Sequence, residues 1–408
     1  MTAATVLTLT GVASCGTNGD PANKSSHAGA VRHSADSLTR PLEDVPATSP
    51  GTRSYAPWPS ALHDARHSGS ATTQGPTAGT VRWRRHLEGP VTPGPVVGAD
   101  GTIYASSNGG VLHAVAPRTG KDLWSFDSKQ SGGGDLSVSP LVLPTKEILF
   151  PAPGGTLFAL SPTGERLWSV AFEGTPTSPV TADGKRVYVG DTSGGVTAID
   201  VTPGGHKVAW KLDVGDTSYG SVVANASGRL YTTADSSLVA IDDRGDQGRI
   251  AWRRNPHDRI TEVSAGLAPD GTAFLGTNGR TEWAYHPDGA LAWRAPRVIT
   301  YSSPAVTASG LVYVGDHAHL VNVFDVKTRQ EVARYGPVGG KIWSSTVVDR
   351  DYRVYLGGQN GHAYGFDTRG RTLFDVDLGG AVDSYPALTA DGALIIGSRN
   401  GTLTAIGK

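Results

Sequence analysis

The residues that offer the most chemistry form a column, one member per repeat. A short core of the type Ser-Pro-x-Val recurs eight times. Two positions before its Ser, or the equivalent of that Ser, stand Thr92, Ser137, Pro176, Tyr219, Glu262, Tyr301, Trp343 and Asp383. The first three are small or neutral. The last five are three aromatics and two carboxylates, with Arg297 and Lys341 close by in sequence. Aromatic faces beside carboxylates suit a ligand with both apolar and polar surface, so Tyr219, Glu262, Tyr301, Trp343 and Asp383 form the candidate binding crescent. The competing reading is that the aromatic side chains fill a channel. Glu262 and Asp383 also have the side chains of an acid–base pair, but they stand three repeats apart, and such pairs work within about 10 Å.

Little else in the sequence carries chemistry. No G-x-S-x-G elbow, phosphate-binding loop or H-E-x-x-H appears. His317-x-His319 offers half a metal site, but no Cys or carboxylate pattern completes it, and it reads as a solvated hairpin. His63 and His67 read as surface or packing residues. The basic stretches at Arg82, Arg84, Arg85 and His86, and at Arg253, Arg254, His257 and Arg259, read as solvated faces. No catalytic residue and no metal ligand is assigned.

The elements that must position the column are short strands. Residues 95–127 show four apolar runs separated by Asp100-Gly101, Asn108-Gly109 and 118–120. Asx-Gly turns supply the positive φ that tight hairpins need, so this stretch is a four-stranded meander. An aromatic closes the unit, and it recurs at Trp83, Trp124, Trp168, Trp210, Trp252, Trp293 and Phe374. One copy is skipped, and there Ala333 takes the aromatic position. A period of about 42 residues with four strands per copy marks a propeller blade. The eighth copy stops after its third strand, and the missing strand lies at 80–84, ahead of the first full copy. The expected fold is all-β: an eight-bladed β-propeller of four-stranded antiparallel blades, closed when the N-terminal strand completes the last blade. Closure removes the free edges of an open ring.

Composition agrees. The 54 Gly and 26 Pro residues supply turns, and a formal net charge of −1 gives no electrostatic case for nucleic acid. Before the ring, residues 16–56 are rich in Ser, Ala, Thr, Pro and Gly without apolar periodicity, and read as a disordered tether. As a coil it spans roughly 35 Å. Residues 1–15 read as a signal and lipobox segment: Val12-Ala13-Ser14-Cys15 places small residues before the single cysteine, which would carry the lipid. No run is long and apolar enough to span a bilayer. The expected divisions are 1–15, the tether at 16–56, a lead-in segment at 57–78 packing on the propeller, and the propeller at 79–408.

The lead-in stretch W-P-S-A-L-H-D-A-R-H-S-G-S from Trp58, then T-V-R-W, then the 95–124 meander ending T-G-K-D-L-W, resembles the pyrroloquinoline-quinone-like (PQQ-like) propeller repeat family over residues 58–408. The resemblance implies that the closing-strand Trp residues are structural wedges between blades. It admits several roles: quinoprotein dehydrogenases, the propeller lipoprotein of the outer-membrane barrel-assembly machinery, sensor domains and secreted lipoproteins. The dehydrogenases use a disulfide between adjacent cysteines, a metal held by carboxylates and an amide, and a catalytic Asp. This chain has no cysteine after Cys15, and no residue matches those positions.

The reading is therefore a monomeric, non-catalytic binding, scaffold or sensor propeller, lipid-anchored to the cell membrane on its extracytoplasmic side, with an envelope protein, peptide or glycan as partner and no cofactor. The alternative is a PQQ-dependent oxidoreductase with an atypical site; a third is another catalytic propeller using Glu262 and Asp383.

Overall fold

The computed structural model describes residues 55–130, 138–215, 220–234, 236–260 and 263–408. Cys15, most of the tether, Ser137, Tyr219 and Glu262 lie outside the described residues. Every regular element described is a strand, and no helix among the described residues is long and apolar enough to cross a membrane.

Eight antiparallel sheets follow one another along the chain. Blade 1 pairs Val96–Val97, Ile103–Ser106, Val111–Val115 and Asp122–Asp127 in that order. Blades 2 and 4–7 repeat it. Blade 3 is the exception. Its regular strands are Arg186–Gly190, Gly195–Thr202 and Gly205–Asp213, and its innermost segment forms no regular strand but meets them at the isolated bridges Pro176↔Asp191 and Val180↔Tyr188 and through Thr177 and Thr181, which donate to the carbonyls of Gly190 and Arg186. Blade 8 closes the ring as the sequence predicts. Its outermost strand is Val81–His86, paired antiparallel with Thr402–Ile406 from the other end of the described chain.

The closing-strand aromatics do what wedges must. Each lies opposite a small residue of the third strand, as in Trp124↔Ala114, Trp168↔Ala159 and Phe374↔Gly365, and Ala333 takes the place opposite Val323. The indole then reaches the following blade. Trp83, Trp124, Trp252 and Trp293 donate Nε1–H to the carbonyls of Pro117, Pro162, Pro287 and Arg329. A large apolar side chain is thus buried without stranding its one polar atom. Two blades depart. Trp210 donates to the carboxylate of Asp243 at 3.0 Å, and Trp168 stacks on His206 at 4.4 Å while its Nε1 has no partner. The basic stretch of the first strand is also used: Arg82 pairs with Asp391, Arg85 with Asp122, and Arg84 donates to the Asp377 carbonyl.

The segment before the ring does more than the sequence disclosed. It runs from blade to blade along the channel edges of the innermost strands. The amides of Val97, Val142, Ala224, Leu267, Val306 and Val348 donate to the carbonyls of Trp58, Pro59, Ala65, Arg66, Ser68 and Gly69, at 2.7–2.9 Å. Blades 1, 2, 4, 5, 6 and 7 are tied together this way, at about 1 kcal/mol net per bond. His67, 1% exposed, is a buried residue here, and both ring nitrogens lack partners; burial lowers its pKa to about 4 and keeps it neutral. Burial works against the Asp64 carboxylate, but Arg66, His63 and the Ser68 amide outweigh it and hold the group below its ordinary range.

Gly69 is where this segment is most exposed to substitution. Its φ is +58°, and a Cβ there would stand 2.9 Å from Ala305 Cβ and 3.0 Å from the Thr346 carbonyl oxygen. Gly69→Val is expected to speed amide exchange at Val306 and Val348 by about tenfold or more while leaving Val97 protected. Exchange measured residue by residue checks this; equal protection at all three sites in the variant would refute it.

Candidate functional site

Thr92, Tyr301, Trp343 and Asp383 stand just ahead of the innermost strands Val96–Val97, Ala305–Val306, Val347–Val348 and Ala387–Leu388, and in blades 1, 6 and 7 the segment just described meets the far ends of those strands. Thr92 and Val97 mark the two levels in blade 1, about 15 Å apart along an extended chain. Thr92, Tyr301 and Trp343 therefore lie towards the channel end opposite the lead-in segment. A belt of serines sets its geometry. Two positions beyond the column, the backbone amides of Ser139, Ser221, Ser264 and Ser303 donate to the side-chain oxygens of Ser178, Ser264, Ser303 and Ser345 on the next blade, at 2.8–3.1 Å. The recurring Ser of the Ser-Pro-x-Val core is thus a blade-to-blade clasp. That recurrence was the available signal for it.

Of the five predicted crescent residues, three are described. Tyr301 and Trp343 meet edge to face with ring centroids 5.6 Å apart. His317 joins them, stacked on Tyr301 at 4.8 Å and 6.4 Å from Trp343. This corrects the solvated-hairpin reading. The His317 amide donates to the Ile299 carbonyl in the loop that carries Tyr301, which draws the hairpin onto the aromatic pair. All three rings are half-buried. Burial first, then the nearby Lys341 charge, lowers the His317 pKa despite Asp316, so its ring is neutral at pH 7. Its Nε2 and the Nε1 of Trp343 are buried and have no hydrogen-bond partner.

Asp383 lies on the next blade and is not a free carboxylate. Arg399 Nε donates to one oxygen and Gln359 Nε2 to the other. Gln359 in turn donates its backbone amide to the carbonyl of Lys341, two residues before Trp343. Tyr301, His317, Trp343, Gln359, Asp383 and Arg399 therefore form one contiguous arc over blades 6 to 8. His317, Gln359 and Arg399 are the members that sequence reasoning did not assign. They enter from the hairpins between second and third strands, which the column did not sample.

Metal-linked quinone chemistry needs a gathered donor set. Among the described residues no three His, Cys, Asp or Glu side chains converge, and Asp383 is committed to Arg399 and Gln359. The described residues do not fit a metal-bound quinone.

A family profile described as outer membrane protein assembly factor BamB matches residues 67–204 and 153–406. The chain belongs to the PQQ-like β-propeller family. Among curated relatives, Protein Rv3035 of Mycobacterium tuberculosis is 24% identical over 296 residues, 63% of this chain and 70% of that protein. The quinohemoprotein alcohol dehydrogenase of Comamonas testosteroni is 30% identical over 226 residues, half of this propeller chain but only 30% of the enzyme. Among solved structures, BamB from Moraxella catarrhalis superposes with a TM-score of 0.66 at 14% identity, over 81% of this chain and all of that one. Sqt1 from Saccharomyces cerevisiae gives 0.67 at 14% identity, over 81% of this chain and 99% of that one. At these identities the superpositions show the shared propeller fold.

Proposed function

We propose that this PQQ-like propeller is a non-catalytic binding protein that captures its partner at the channel mouth, on the arc from Tyr301 to Asp383. The observation that carries the reading is the aromatic corner itself. Two buried polar atoms, Trp343 Nε1 and His317 Nε2, have no partner among the described residues, and a buried polar group left unpaired costs about 1–3 kcal/mol. A ligand that accepts from them recovers that cost. A lipid on Cys15 and a long tether, holding the ring at the outer side of a membrane, belong to the same proposal and rest on the lipobox pattern.

The test places a photo-crosslinking residue at Lys341 in the full chain, in the source organism. The expected result is a discrete adduct that disappears when Trp343→Ala is added. An adduct pattern identical to that from a probe at Leu291, exposed on an outer strand, would overturn the reading. The alternative, a PQQ-dependent oxidoreductase, is favoured by the relative shared with a quinohemoprotein enzyme. Its discriminating result is a calcium-dependent rise in melting temperature with PQQ that is lost in Asp383→Asn.

A further inference from the structure

One turn position breaks its own rule on three consecutive blades, 4 to 6, the last of which carries Tyr301 and His317 of the aromatic corner. In every blade the residue two before the third-strand core position sits at positive φ. It is glycine in blades 1, 2, 3, 7 and 8: Gly110, Gly155, Gly194, Gly361 and Gly401. In blade 4 it is Ser236, φ 55°, in blade 5 Arg280, φ 82°, and in blade 6 His319, φ 69°. Glycine adopts this region freely, whereas a side chain there is strained. Arg297, φ 77°, repeats the anomaly one loop away, and its amide donates to the Arg280 carbonyl at 2.6 Å. Two exposed arginines are thus held side by side in a backbone conformation that glycine would fill more cheaply.

Neither guanidinium has a hydrogen-bond or ion-pair partner among the described residues, and the Lys341 ammonium has none there either. Nearby carboxylates do not compensate them. Asp383 is neutralised by Arg399, and Asp316 is buried against the Asn322 amide at 2.8 Å. Asp258 is engaged as well, accepting from Thr277 Oγ1 at 2.9 Å and from Trp283 Nε1 at 3.4 Å. Arg297 lies four residues before Tyr301, in the loop whose Ile299 carbonyl accepts from His317. Unpaired positive charge therefore borders the corner whose Trp343 and His317 nitrogens lack partners.

The geometry points to a carboxylate-bearing glycan as the ligand: a sugar ring against Tyr301 and Trp343, its acid group on Arg280, Arg297 and Lys341. This inference rests on the channel mouth being the binding site. Flat aromatic walls with few convergent polar groups suit ring-shaped ligands, and guanidinium groups suit carboxylates. An acidic peptide fits less well. Extended peptides gain affinity by pairing with a free strand edge, and the mouth offers none: the free edges belong to the outermost strands, and the channel edges are met by the lead-in segment.

The experiment titrates the full chain calorimetrically with hexagalacturonate, with neutral maltohexaose and hexaglutamate in parallel. Hexagalacturonate is expected to bind saturably, to weaken about tenfold or more between about 50 and about 500 mM salt, and to exceed maltohexaose by about tenfold or more. The double variant Arg280→Gly with Arg297→Gly is expected to lose about tenfold in affinity while its melting temperature holds or rises, because glycine relieves both strained turns. Loss of binding with a fall in melting temperature would be a folding defect and would overturn the assignment of these arginines. No heat at about 1 mM hexagalacturonate, equal binding of maltohexaose, or tighter binding of hexaglutamate would overturn the ligand class. If an adduct still forms from Lys341 in that case, the mouth remains the binding site with a different partner; if it does not, both readings fall.

Discussion

Asp243→Ala is expected to destabilise the propeller by about 3–5 kcal/mol, the cost of removing one partner from a buried, hydrogen-bonded charge pair. The carboxylate sits on the seam between blades 3 and 4 with its side chain 10% exposed. One oxygen accepts from Arg186 at 2.8 Å and from the Tyr188 hydroxyl at 2.7 Å, and the other from Trp210 Nε1 and the Gly245 amide. Arg186 is shared with Asp200 at 2.6 Å. The position matters because blade 3 is the blade whose innermost segment has isolated bridges and threonine hydrogen bonds in place of a regular strand. The sign of the pH dependence follows. Burial raises the Asp243 pKa, but Arg186, Tyr188, Gly245 and Trp210 outweigh it and lower the folded value. Its contribution is therefore present above the unfolded carboxylate value of about 3.9 and is lost as pH falls through the folded one. Denaturant midpoints of parent and variant should differ fully at pH 7 and converge in acid. A difference under about 1 kcal/mol at pH 7 would mean that Arg186, Tyr188 and Trp210 find other acceptors.

The ring was legible because it is periodic. Trp83 could be assigned to the eighth blade from sequence because a missing strand at one end of the repeat array matched a spare strand at the other. The indole wedges were legible for a related reason: a residue that recurs opposite Ala or Gly in one strand register has one role. The lead-in segment was not. Its bonds to six blades run through backbone carbonyls, and a carbonyl leaves no mark on residue type. The site was half legible. Tyr301 and Trp343 were found because they share one column, but His317 and Arg399 enter from hairpins, outside the register that was read. Asp383 was found as a carboxylate, while its neutralisation by Arg399 and Gln359 depends on side-chain directions that spacing does not encode. Arg280 had a sequence signal that passed unnoticed, since it stands where five blades place glycine.

Glu282 is a second departure of the same kind, and replacing it should strengthen the protein. The third strands carry a core position facing the neighbouring blade, occupied by Leu112, Leu157, Val196, Leu238, Val321, Ala363 and Leu403, each at most 1% exposed. Blade 5 puts Glu282 there, 0% exposed, with no partner for either carboxylate oxygen among the described residues. Burial raises its pKa well above the ordinary carboxylate value. The folded protein therefore keeps a proton that the unfolded chain releases, and the stability linked to that proton is complete below about pH 4.3 and drains away as pH climbs towards the folded value. Glu282→Leu is expected to raise stability by about 1–3 kcal/mol, and by more at pH 8 than at pH 5. Glu282→Gln should flatten the pH dependence while keeping a buried, unpaired amide, and so should gain less. Denaturant midpoints at the two pH values decide it, and a Glu282→Leu protein weaker than its parent at pH 8 would show that the acid has a partner which outweighs its burial. A place beside the aromatic corner gives the chain a reason to tolerate the cost. An added Cβ at Gly276 would meet both Glu282 Oε2 at 3.1 Å and the Thr300 methyl at 2.3 Å, and Thr300 immediately precedes Tyr301. Blades 5 to 7 thus carry the strained arginines, the aromatic corner and the buried acid, and a sector that gives up stability at several positions is where selection for binding, more than for folding, is expected to act.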